Sequence, residues 1–459
     1  MAIFFFCGIG GIGMSSIALY LKNRGHRVMG SDRSFDLGTN QKMWERLHQN
    51  GIELFPQNGS GVLSDTDAFV VSTAVEDTIT DVQRAKELNI PIYKRAQVLA
   101  DILHAHTGIA VAGTSGKTTV TAMIGHILER VGLNPVMING GISLNTYYGK
   151  ETSNLIFGSG NTCVIEADES DGSIELYTPD YAVVTNISLD HKSIEEIKPL
   201  FESFLNRTKK GVVVNADCMN TRDLKITQKN ILSFSVTGQP ADLCVKDIQT
   251  KNGHTFFVVN GLNVDLPMIG RHNVENVLAA FGICLHLGIL LSDSVRAIAD
   301  FKGTHRRLET VGTADGITVI DDYAHNPEKI RAALTALKSD KGHLFAVYQP
   351  HGFAPLRLMK KTLIDMLTKV LDDNITWIMN DVYYVGGTVA KDISSADIVM
   401  PLIGAGKPAI HISGRSDTIA WLKAHAQKGD TIAVIGARDD TLSLFARDIL
   451  TAFKGRNNI

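Results

Sequence analysis

The stretch AGTSGKTT (Ala112–Thr119) carries the residues best suited to hold a nucleotide phosphate. Gly113 and Gly116 allow backbone N–H groups to turn inward around phosphate oxygens, and the following helix adds the positive end of its dipole. Lys117 can reach the terminal phosphates, and the hydroxyl of Thr118 can bind Mg²⁺. An ordinary Gly/Ser/Thr-rich turn before a helix is the alternative. The order strand, GTSGKTT, helix favours a loop for a nucleoside triphosphate.

A second glycine-rich stretch, FFFCGIGGIGMSSIA, begins at Phe4. Gly8, Gly10 and Gly13 match the dinucleotide-binding pattern G-x-G-x-x-G, and Asp32 lies nineteen residues beyond Gly13. Taken alone, the pattern favours a nicotinamide-dependent oxidoreductase. Its glycines bind pyrophosphate rather than nicotinamide, so a nucleotide-linked substrate fits equally well. Because a nicotinamide enzyme needs no triphosphate loop, the two loops together favour an ATP-driven enzyme acting on a UDP- or ADP-linked molecule.

Two clusters of possible metal ligands follow apolar strands. EADESD comes directly after the strand TCVI, and TNISLDH ends a second strand. Side chains at the carboxyl end of a strand lie beside the ligand crevice of a parallel sheet, and hard oxygen ligands suit Mg²⁺. A solvated acidic turn and a structural histidine are the alternatives. Beside the phosphate loop, the clusters predict magnesium ligands among Glu166, Asp168, Glu169, Asp171, Asp190 and His191.

The elements that would position these residues form three segments. Residues 1–105 alternate the strands AIFFFCGI, HRVMGSD, AFVVSTA and PIYKRA with helices, which predicts a parallel sheet with crossover helices. Residues 106–300 run from the phosphate loop to the helix HNVENVLAAFGICLHLG. Residues 301–459 contain the strands GITVIDDY, GHLFAVYQP, NITWIMND and DTIAVIGARD. We therefore predict an α/β protein of three domains, consistent with about 150 residues per domain.

The composition narrows the function classes. A net charge of −3 over 459 residues gives no basic field for a nucleic-acid backbone, so no nucleic-acid partner is expected. The five cysteines have no metal-binding or disulfide spacing, which is typical of a reducing compartment. We find neither a signal peptide nor a run of about eighteen apolar residues, so we expect a cytoplasmic protein without a membrane partner.

Seven motifs, in order, resemble those of the Mur ligase family, which builds the peptide of the bacterial cell wall. They are GIGGIGMSSIA, VAGTSGKTT, EADESD, TNISLDH, GRHNVENVLAA, GTHRRLE and DDYAHNP. The resemblance implies an N-terminal Rossmann-like domain that binds the UDP substrate, a central P-loop ATPase domain and a C-terminal Rossmann-like domain that brings the amino acid. It further implies an ATP- and Mg²⁺-dependent ligase that phosphorylates a substrate carboxylate. An amino group then attacks the acyl phosphate.

The resemblance also implies roles for individual residues. The catalytic residues would be Lys117, Glu166, His191 and Arg307, and the metal ligands Thr118, Glu166 and His191, with Glu169 in reserve. ATP would be bound by Gly113, Thr114, Ser115, Gly116, Lys117, Thr118, Thr119, His272, Asn273, Asn276, and Asp321 or Asp322. The UDP substrate would contact Gly8, Gly10, Gly11, Gly13 and Asp32, and the amino acid would contact Tyr323, His325 and Arg357.

Several positions depart from the pattern of the branch that adds L-alanine to UDP-N-acetylmuramate. Ser115 replaces a histidine. Asn206, in contrast, agrees with this branch, since it stands where other branches carry a carbamylated lysine. In QPHGFAPLR, Gly352 and Pro355 replace two arginines of the amino-acid pocket and only Arg357 remains. L-Alanine is therefore the default amino acid. The alternatives are L-glutamate added to the UDP-muramoyl-alanine product and murein tripeptide recycled onto UDP-N-acetylmuramate.

Two other classes of function remain alternatives. A nicotinamide-dependent oxidoreductase would bind NAD(P) tightly and leave Lys117 idle. A non-catalytic nucleotide-binding regulator would not need the metal ligands and Arg307 together. The expected partners are a UDP-N-acetylmuramoyl substrate and an amino acid or short peptide, and the chain would be a monomer or homodimer.

Overall fold

Three sheets organise the chain in a computed structural model, which describes residues 1–72, 75–147, 153–188, 193–339, 342–384 and 389–454. The first sheet is parallel, with strand order β3-β2-β1-β4-β5. Its strands are β1 (Ile3–Cys7), β2 (Arg27–Ser31), β3 (Glu53–Phe55), β4 (Ala68–Val71) and β5 (Ile92–Lys94). The helices of this segment are α1 (Ile12–Asn23), α2 (Arg33–Asp36), α3 (Gln41–Gln49), α4 (Thr80–Glu87) and α5 (Arg95–His104).

The second sheet has ten strands in the order β15-β14-β13-β12-β11-β10-β6-β9-β7-β8. They are β6 (Thr107–Ala112), β7 (Val136–Ile138), β8 (Leu155–Phe157), β9 (Thr162–Glu166), β10 (Tyr181–Val184), β11 (Gly211–Asn215), β12 (Ile231–Ser235), β13 (Leu243–Lys251), β14 (His254–Val259) and β15 (Leu262–Leu266). Its helices are α6 (Lys117–Arg130), α7 (Ile194–Arg207), α8 (Met219–Arg222), α9 (Arg271–His286) and α10 (Leu291–Ile298), with a short 3₁₀ helix at Ser173–Leu176. Strands β10, β6 and β9 are parallel neighbours, so their carboxyl ends meet at one edge.

The third sheet has the order β16-β17-β21-β18-β19-β20 and is parallel except for the pair β16 and β17. Its strands are β16 (Glu309–Ala314), β17 (Ile317–Asp322), β18 (Leu344–Tyr348), β19 (Ile375–Met379), β20 (Ala409–His411) and β21 (Thr431–Ile435). Five helices accompany it: α11 (Pro327–Leu337), α12 (Phe353–Val370), α13 (Ala396–Gly404), α14 (Arg415–His425) and α15 (Leu442–Lys454).

Buried apolar residues lie on both faces of this third sheet. Leu344, Ala346 and Tyr348 of β18 belong to one core, while Phe345 and Val347 belong to the other. Because side chains alternate along a strand, a strand buried on both faces is apolar throughout. The continuous apolar run LFAVY in the sequence reflects this burial.

The chain divides into two units. The first comprises Met1–Ile248, Phe256–Asp265 and Glu275–Lys302, and the second comprises Gln249–Thr255, Leu266–Val274 and Gly303–Ile459. The parallel sheet with crossover helices predicted for residues 1–105 is confirmed. The domain boundaries near residues 105 and 300 stay predictions, since the first two sheets fall in one unit.

Candidate active site

The phosphate loop joins β6 to α6 and has no room for side chains at its glycines. Gly113 has a φ of +129° and Gly116 a φ of +88°, both in the region that favours glycine. A Cβ at Gly113 would stand 2.1 Å from Oγ1 of Thr185, and one at Gly116 would stand 2.4 Å from Oδ1 of Asn276. The glycines therefore let neighbouring polar side chains approach the backbone of the loop.

The residues after β10 hold the loop in shape. Oγ1 of Thr185 donates to the carbonyl of Ser115 at 2.6 Å, and Ser115 N–H donates to Oδ1 of Asn186 at 3.0 Å. Ser188 N–H donates to Oγ1 of Thr114 at 3.0 Å. These bonds fix the loop before any ligand contacts it. The sequence reasoning did not single out Thr185 and Asn186, although both lie in the quoted motif TNISLDH.

Lys117 begins α6 and points back over the loop. Its Nζ donates to the carbonyl of Gly113 at 2.8 Å and to Oε2 of Glu169 at 2.7 Å, with Oδ1 of Asp168 at 3.7 Å. Burial opposes the charged form of the lysine, but Glu169, Asp168 and Glu166 outweigh it and raise the pKa of Lys117. Lys117 is therefore a largely buried cation at the phosphate loop, with a side chain that is 12% exposed, and the reserve metal ligand Glu169 is its ion-pair partner.

Thr118 and Glu166 form the oxygen pair expected for Mg²⁺. Oγ1 of Thr118 lies 3.0 Å from Oε2 of Glu166, and Gly140 N–H donates to the same oxygen at 3.1 Å. A Cβ at Gly140 would stand 2.4 Å from that oxygen, so only a glycine leaves space there. A hydroxyl and a carboxylate at one sheet edge fit the ligand preference of Mg²⁺. The predicted ligands Asp190 and His191 lie outside the described residues.

The first glycine loop is hydrogen-bonded to Asp32, the acidic residue of the dinucleotide-binding pattern. Gly10 N–H donates to Oδ2 of Asp32 at 2.8 Å, and a Cβ at Gly10 would stand 2.9 Å from the same carboxylate. Oδ1 of Asp32 also accepts from Ser34 N–H at 2.8 Å, which caps α2. Asp32 thus binds the glycine loop itself, with Gly8 at a φ of +84° where β1 ends.

An arginine that the sequence reasoning missed lies beside this loop. A Cβ at Gly13 would stand 3.3 Å from Cδ and Nη1 of Arg95, and Nη2 of Arg95 pairs with Oδ2 of Asp171 at 3.2 Å. Arg95 starts α5, in a stretch that the sequence marks only as the end of PIYKRA. A cation beside a glycine loop and the start of a helix suits an anionic group.

The residues predicted to meet adenine are all at least partly buried. Burial lowers the pKa of His272 to about 4, and a Cβ at Gly270 would stand 2.7 Å from its ring. Nδ2 of Asn273 donates to the carbonyl of Ile269 at 2.8 Å. His272 and Asn273 belong to the second unit, and Asn276, near Gly116, belongs to the first.

In the second unit, the predicted residues Asp321, Asp322 and Tyr323 lie at the end of β17, and the predicted Arg307 lies close to them. Oδ1 of Asp321 accepts from Nε of Arg306 at 3.2 Å, and Oδ2 of Asp322 accepts from Leu308 N–H at 2.7 Å. The guanidinium of Arg307 lies 5.1 Å from the ring centroid of Tyr323. Both carboxylates therefore already bind the chain, and which of them contacts ribose stays a prediction.

The residues predicted for the amino acid lie in two places. The rings of Tyr323 and His325 are 5.7 Å apart, and His351, which the sequence reasoning left without a role, lies 5.7 Å from His325. Arg357 instead donates from Nη2 to the carbonyl of Ala390 at 3.0 Å and pairs with Asp392. The structure thus brings the aromatic rings together and places Arg357 against residues 390–392.

Three positions at which the sequence was compared with branches of the family have local structural roles. Gly352 precedes α12 with a φ of +74°, its N–H donates to the carbonyl of Tyr383 at 2.9 Å, and Pro355 lies in the first turn of the helix. Nδ2 of Asn206 donates to the carbonyl of Lys225 at 2.9 Å, so the position of the carbamylated lysine is used for loop packing here. Gly352 and Pro355 shape the start of a helix, which explains residue types there that differ from arginine.

Three family models match successive parts of the chain. They are described as the Mur ligase family catalytic domain (residues 4–107), the Mur ligase middle domain (111–284) and the Mur ligase glutamate ligase domain (306–438). The chain belongs to the Mur ligase family.

Similar proteins cover nearly the whole of this Mur ligase. The UDP-N-acetylmuramate–L-alanine ligase of Agrobacterium fabrum is 34% identical, over 95% of this chain and 94% of the relative. That of Caldicellulosiruptor bescii is 34% identical, over 95% and 96%. The crystal structure of the UDP-N-acetylmuramate–alanine ligase from Thermotoga maritima is 26% identical with a TM-score of 0.78, covering 99% of this chain and 100% of that one. A murein peptide ligase from Psychrobacter arcticus shares the fold, with 23% identity, a TM-score of 0.67 and coverage of 100% and 99%.

These matches confirm the three-domain α/β architecture and the class of ATP-dependent ligase predicted for this Mur ligase. The alternatives of oxidoreductase and regulator lose their support, because the first glycine loop lies within a Mur ligase domain. Over the described part of the chain, no helix combines the length and hydropathy needed to cross a membrane. The roles of the individual site residues stay predictions.

Proposed function

We propose that this Mur ligase joins L-alanine to UDP-N-acetylmuramate with hydrolysis of ATP to ADP and phosphate. The observation that carries the ligase chemistry is the phosphate loop, where Lys117 is a largely buried cation and Oγ1 of Thr118 lies 3.0 Å from Oε2 of Glu166. The relatives at 34% identity, named for L-alanine, support the choice of amino acid. We place the reaction in the cytoplasm, with a monomer or homodimer as the working form.

In the first step, a carboxylate oxygen of UDP-N-acetylmuramate attacks the γ-phosphorus of ATP. The bond to the β,γ-bridging oxygen breaks, and an acyl phosphate and ADP form. Lys117 and the N–H groups of the loop would stabilise the negative charge on the β- and γ-phosphates. Arg307 would add a second cation at the γ-phosphate from the third domain.

In the second step, the neutral amino group of alanine attacks the carbonyl carbon of the acyl phosphate. A tetrahedral intermediate forms, the amine loses a proton, and inorganic phosphate leaves with the electron pair of the broken C–O bond. Tyr323, His325 and Arg357 would hold the amino acid, with an arginine fork suited to its carboxylate. The acyl phosphate solves the difficulty that a bare carboxylate is a poor electrophile.

Mg²⁺ would be held by Thr118, Glu166 and His191, and when bound it would neutralise phosphate charge. The fit rests on the oxygen pair and on the space that Gly140 leaves beside Glu166. Glu169 is the less suited ligand, because it already pairs with Lys117 at 2.7 Å.

The diphosphate of the UDP substrate and the adenine and ribose of ATP would each bind at a separate set of residues. The loop of Gly8, Gly10, Gly11 and Gly13, closed by Asp32, would bind the diphosphate of the UDP substrate. His272, Asn273 and Asn276 would meet adenine, and Asp321 or Asp322 would take the ribose.

A substrate panel tests the proposed function. Phosphate release is measured with Mg²⁺-ATP and UDP-N-acetylmuramate or UDP-N-acetylmuramoyl-L-alanine, each with L-Ala, L-Glu, D-Glu or murein tripeptide. We expect turnover with UDP-N-acetylmuramate and L-alanine. Efficient turnover only with L-glutamate or only with tripeptide would replace L-alanine by that substrate. Calorimetry should detect binding of UDP-N-acetylmuramate and none of NADH at matched concentration, and hydride transfer from NADH would overturn the assignment.

A further inference from the structure

The turn that carries Arg307, residues 304–309, has an unusual backbone. Arg306 has a φ of +57° and Leu308 a φ of +48°, so two left-handed residues that are not glycine flank Arg307. Such conformations cost free energy and persist only where surrounding contacts enforce them. The direction of the Arg307 side chain therefore depends on what holds this turn.

Hydrogen bonds to the end of β17 hold its main chain. Arg307 N–H donates to the carbonyl of Thr304 at 3.1 Å, and Tyr323 N–H donates to the carbonyl of Arg306 at 2.8 Å. Leu308 N–H donates to Oδ2 of Asp322 at 2.7 Å. These bonds fix the main chain of the turn beside the end of β17. The guanidinium of Arg307 lies 5.1 Å from the ring centroid of Tyr323.

The side chain of Arg306 connects the turn to two neighbouring strands. It is 6% exposed, and three of its nitrogens donate: Nε to Oδ1 of Asp321 at 3.2 Å, Nη1 to the carbonyl of Asp439 at 3.2 Å, and Nη2 to the carbonyl of Gly436 at 2.7 Å. Asp321 is the penultimate residue of β17, and the two carbonyls follow β21, its parallel neighbour. A planar guanidinium reaches all three acceptors, which a lysine ammonium on its flexible stem cannot reproduce.

Residues around Arg306 close the same network. Oε2 of Glu309 accepts from Arg306 N–H at 2.9 Å and lies 2.5 Å from Nδ1 of His305. Oγ of Ser443 donates to Oδ2 of Asp321 at 2.6 Å and lies 3.3 Å from Nε2 of His305. The polar groups of this cluster thus bind one another and the turn.

We infer that Arg306 is a positioning residue that fixes the turn so that Arg307 is presented to the γ-phosphate. The inference rests on the role proposed above for Arg307. Arg307 is the catalytic cation, while Arg306 acts only through it, by holding the left-handed turn against the ends of β17 and β21. Each guanidinium lies 5.1 Å from the ring centroid of Tyr323, so both arginines contact the residue that follows β17.

A double-mutant cycle in the full-length enzyme tests this order of action. Steady-state ADP formation is measured for Arg307→Ala, Arg306→Ala and the double variant. We expect kcat to fall about 100-fold for Arg307→Ala, the scale of a lost charge-stabilising donor, and about tenfold for Arg306→Ala. The double variant should stay within about threefold of Arg307→Ala, because a misplaced Arg307 cannot be lost twice. A further tenfold loss would show independent effects and overturn the inference.

Arg415 supplies the matched control. Its guanidinium binds Oγ1 of Thr441 at 2.8 Å and the carboxylate of Asp439 in the same loop after β21, and it binds Oε1 of Gln349, which follows β18, at 2.7 Å. The effect of Arg415→Ala on kcat should therefore multiply with that of Arg307→Ala. A variant that merely lowers the folded fraction also reduces kcat by one factor in both backgrounds. If Arg415→Ala shows the same non-additivity as Arg306→Ala, the loop rather than Arg306 positions Arg307, and the inference is wrong.

Arg306→Lys keeps the experiment decisive if the alanine variant does not fold. It retains the charge but loses the three-way fork, so its kcat should lie between those of wild type and Arg306→Ala and should be non-additive with Arg307→Ala. An Arg306→Lys enzyme equal to wild type would overturn the inference. If Arg307→Ala itself stays within about threefold of wild type, the proposed role of Arg307 fails. If Arg307→Ala lowers kcat as expected but the effects of the Arg306 variants simply multiply with it, only the positioning role of Arg306 is refuted.

Discussion

Lys117 and Arg307, the two cations proposed to act on the phosphates of ATP, are held in place by contacts of different range. Lys117 lies in a strand–loop–helix unit, and its Nζ donates to the carbonyl of Gly113, four residues earlier. Arg307 lies in a turn held by Arg306, whose side chain donates to Asp321 and Asp439, 15 and 133 positions further along the chain. A local unit can present a side chain by its own backbone geometry, whereas a strained turn needs support from elsewhere in the sheet.

The turn at 304–309 is the part of the site that should be sensitive to distant substitutions. The phosphate loop keeps its shape through glycines that leave little room for a Cβ and through bonds from the residues that follow the adjacent strand β10. The turn at 304–309 depends on β17 and on the carbonyls of Gly436 and Asp439 that Arg306 binds, so a change that breaks these bonds of Arg306 would reach Arg307.

The largest effect should follow the loss of the locally held cation. Lys117→Ala is expected to lower kcat for phosphate release about 10²–10³-fold, because a preorganised charge at the β- and γ-phosphates is removed. Circular dichroism should remain that of wild type, with Lys209→Ala, an exposed lysine, as control. A kcat within threefold of wild type would show that the loop does not use Lys117 as proposed.

The second unit contributes a pH-dependent stability through His272. Burial lowers its pKa from 6.5 in the unfolded chain to about 4, so the unfolded state takes up the proton first as pH falls. The stability is complete above pH 6.5 and falls as pH drops towards 4, by about 2 kcal/mol at pH 5.

His272→Gln should remove that loss. Urea unfolding at pH 7 and pH 5 is compared for wild type, His272→Gln and His425→Gln, which replaces an exposed histidine of the same unit. The acid-induced decrease should shrink only in the first variant. Equal decreases in all three proteins would show that burial of His272 does not govern the acid response.

A smaller effect is expected where the phosphate loop meets a carboxylate 48 residues away. Glu166→Gln should raise the Mg²⁺ concentration for half-maximal activity about tenfold, because an amide is a weaker ligand than a carboxylate. Glu175→Gln, an exposed carboxylate in the next turn, is the control. An unchanged Mg²⁺ dependence in Glu166→Gln would assign this carboxylate to the structure of the loop only.

The smallest effect should come from Arg357, which is half-exposed and already paired with Asp392. Arg357→Ala is expected to raise the KM for L-alanine about fivefold with little change in the KM for ATP, the pattern of a lost binding contact. Lys360→Ala, one turn further along α12 and paired with Asp397, should leave both constants unchanged. A KM for L-alanine equal to that of wild type would remove Arg357 from the amino-acid site.

Most strands that position the site could be predicted from apolar runs bounded by turns. The runs IFFFC, LFAVY and TIAVI are buried strands, as the sequence indicated. Three three-residue strands at sheet edges, Glu53–Phe55, Leu155–Phe157 and Ala409–His411, were missed, because three residues give no clear periodicity. In the second sheet, β7 and β11–β15 were missed too. β16 was missed as well, since ETVGTA is largely polar and pairs antiparallel to β17 at the other edge.

Three features of this Mur ligase could be predicted from residue types and spacing: the phosphate loop, the glycine loop paired with Asp32, and the acidic end of β9. Each depends on neighbours in the chain or on the shared carboxyl edge of a parallel sheet. Only the tertiary structure decided that Lys117 pairs with Glu169, that Arg95 lies over Gly13, and that Arg306 anchors the turn of Arg307. The reason is physical, since long side chains choose partners by distance and burial in the folded chain, which residue type and spacing do not encode.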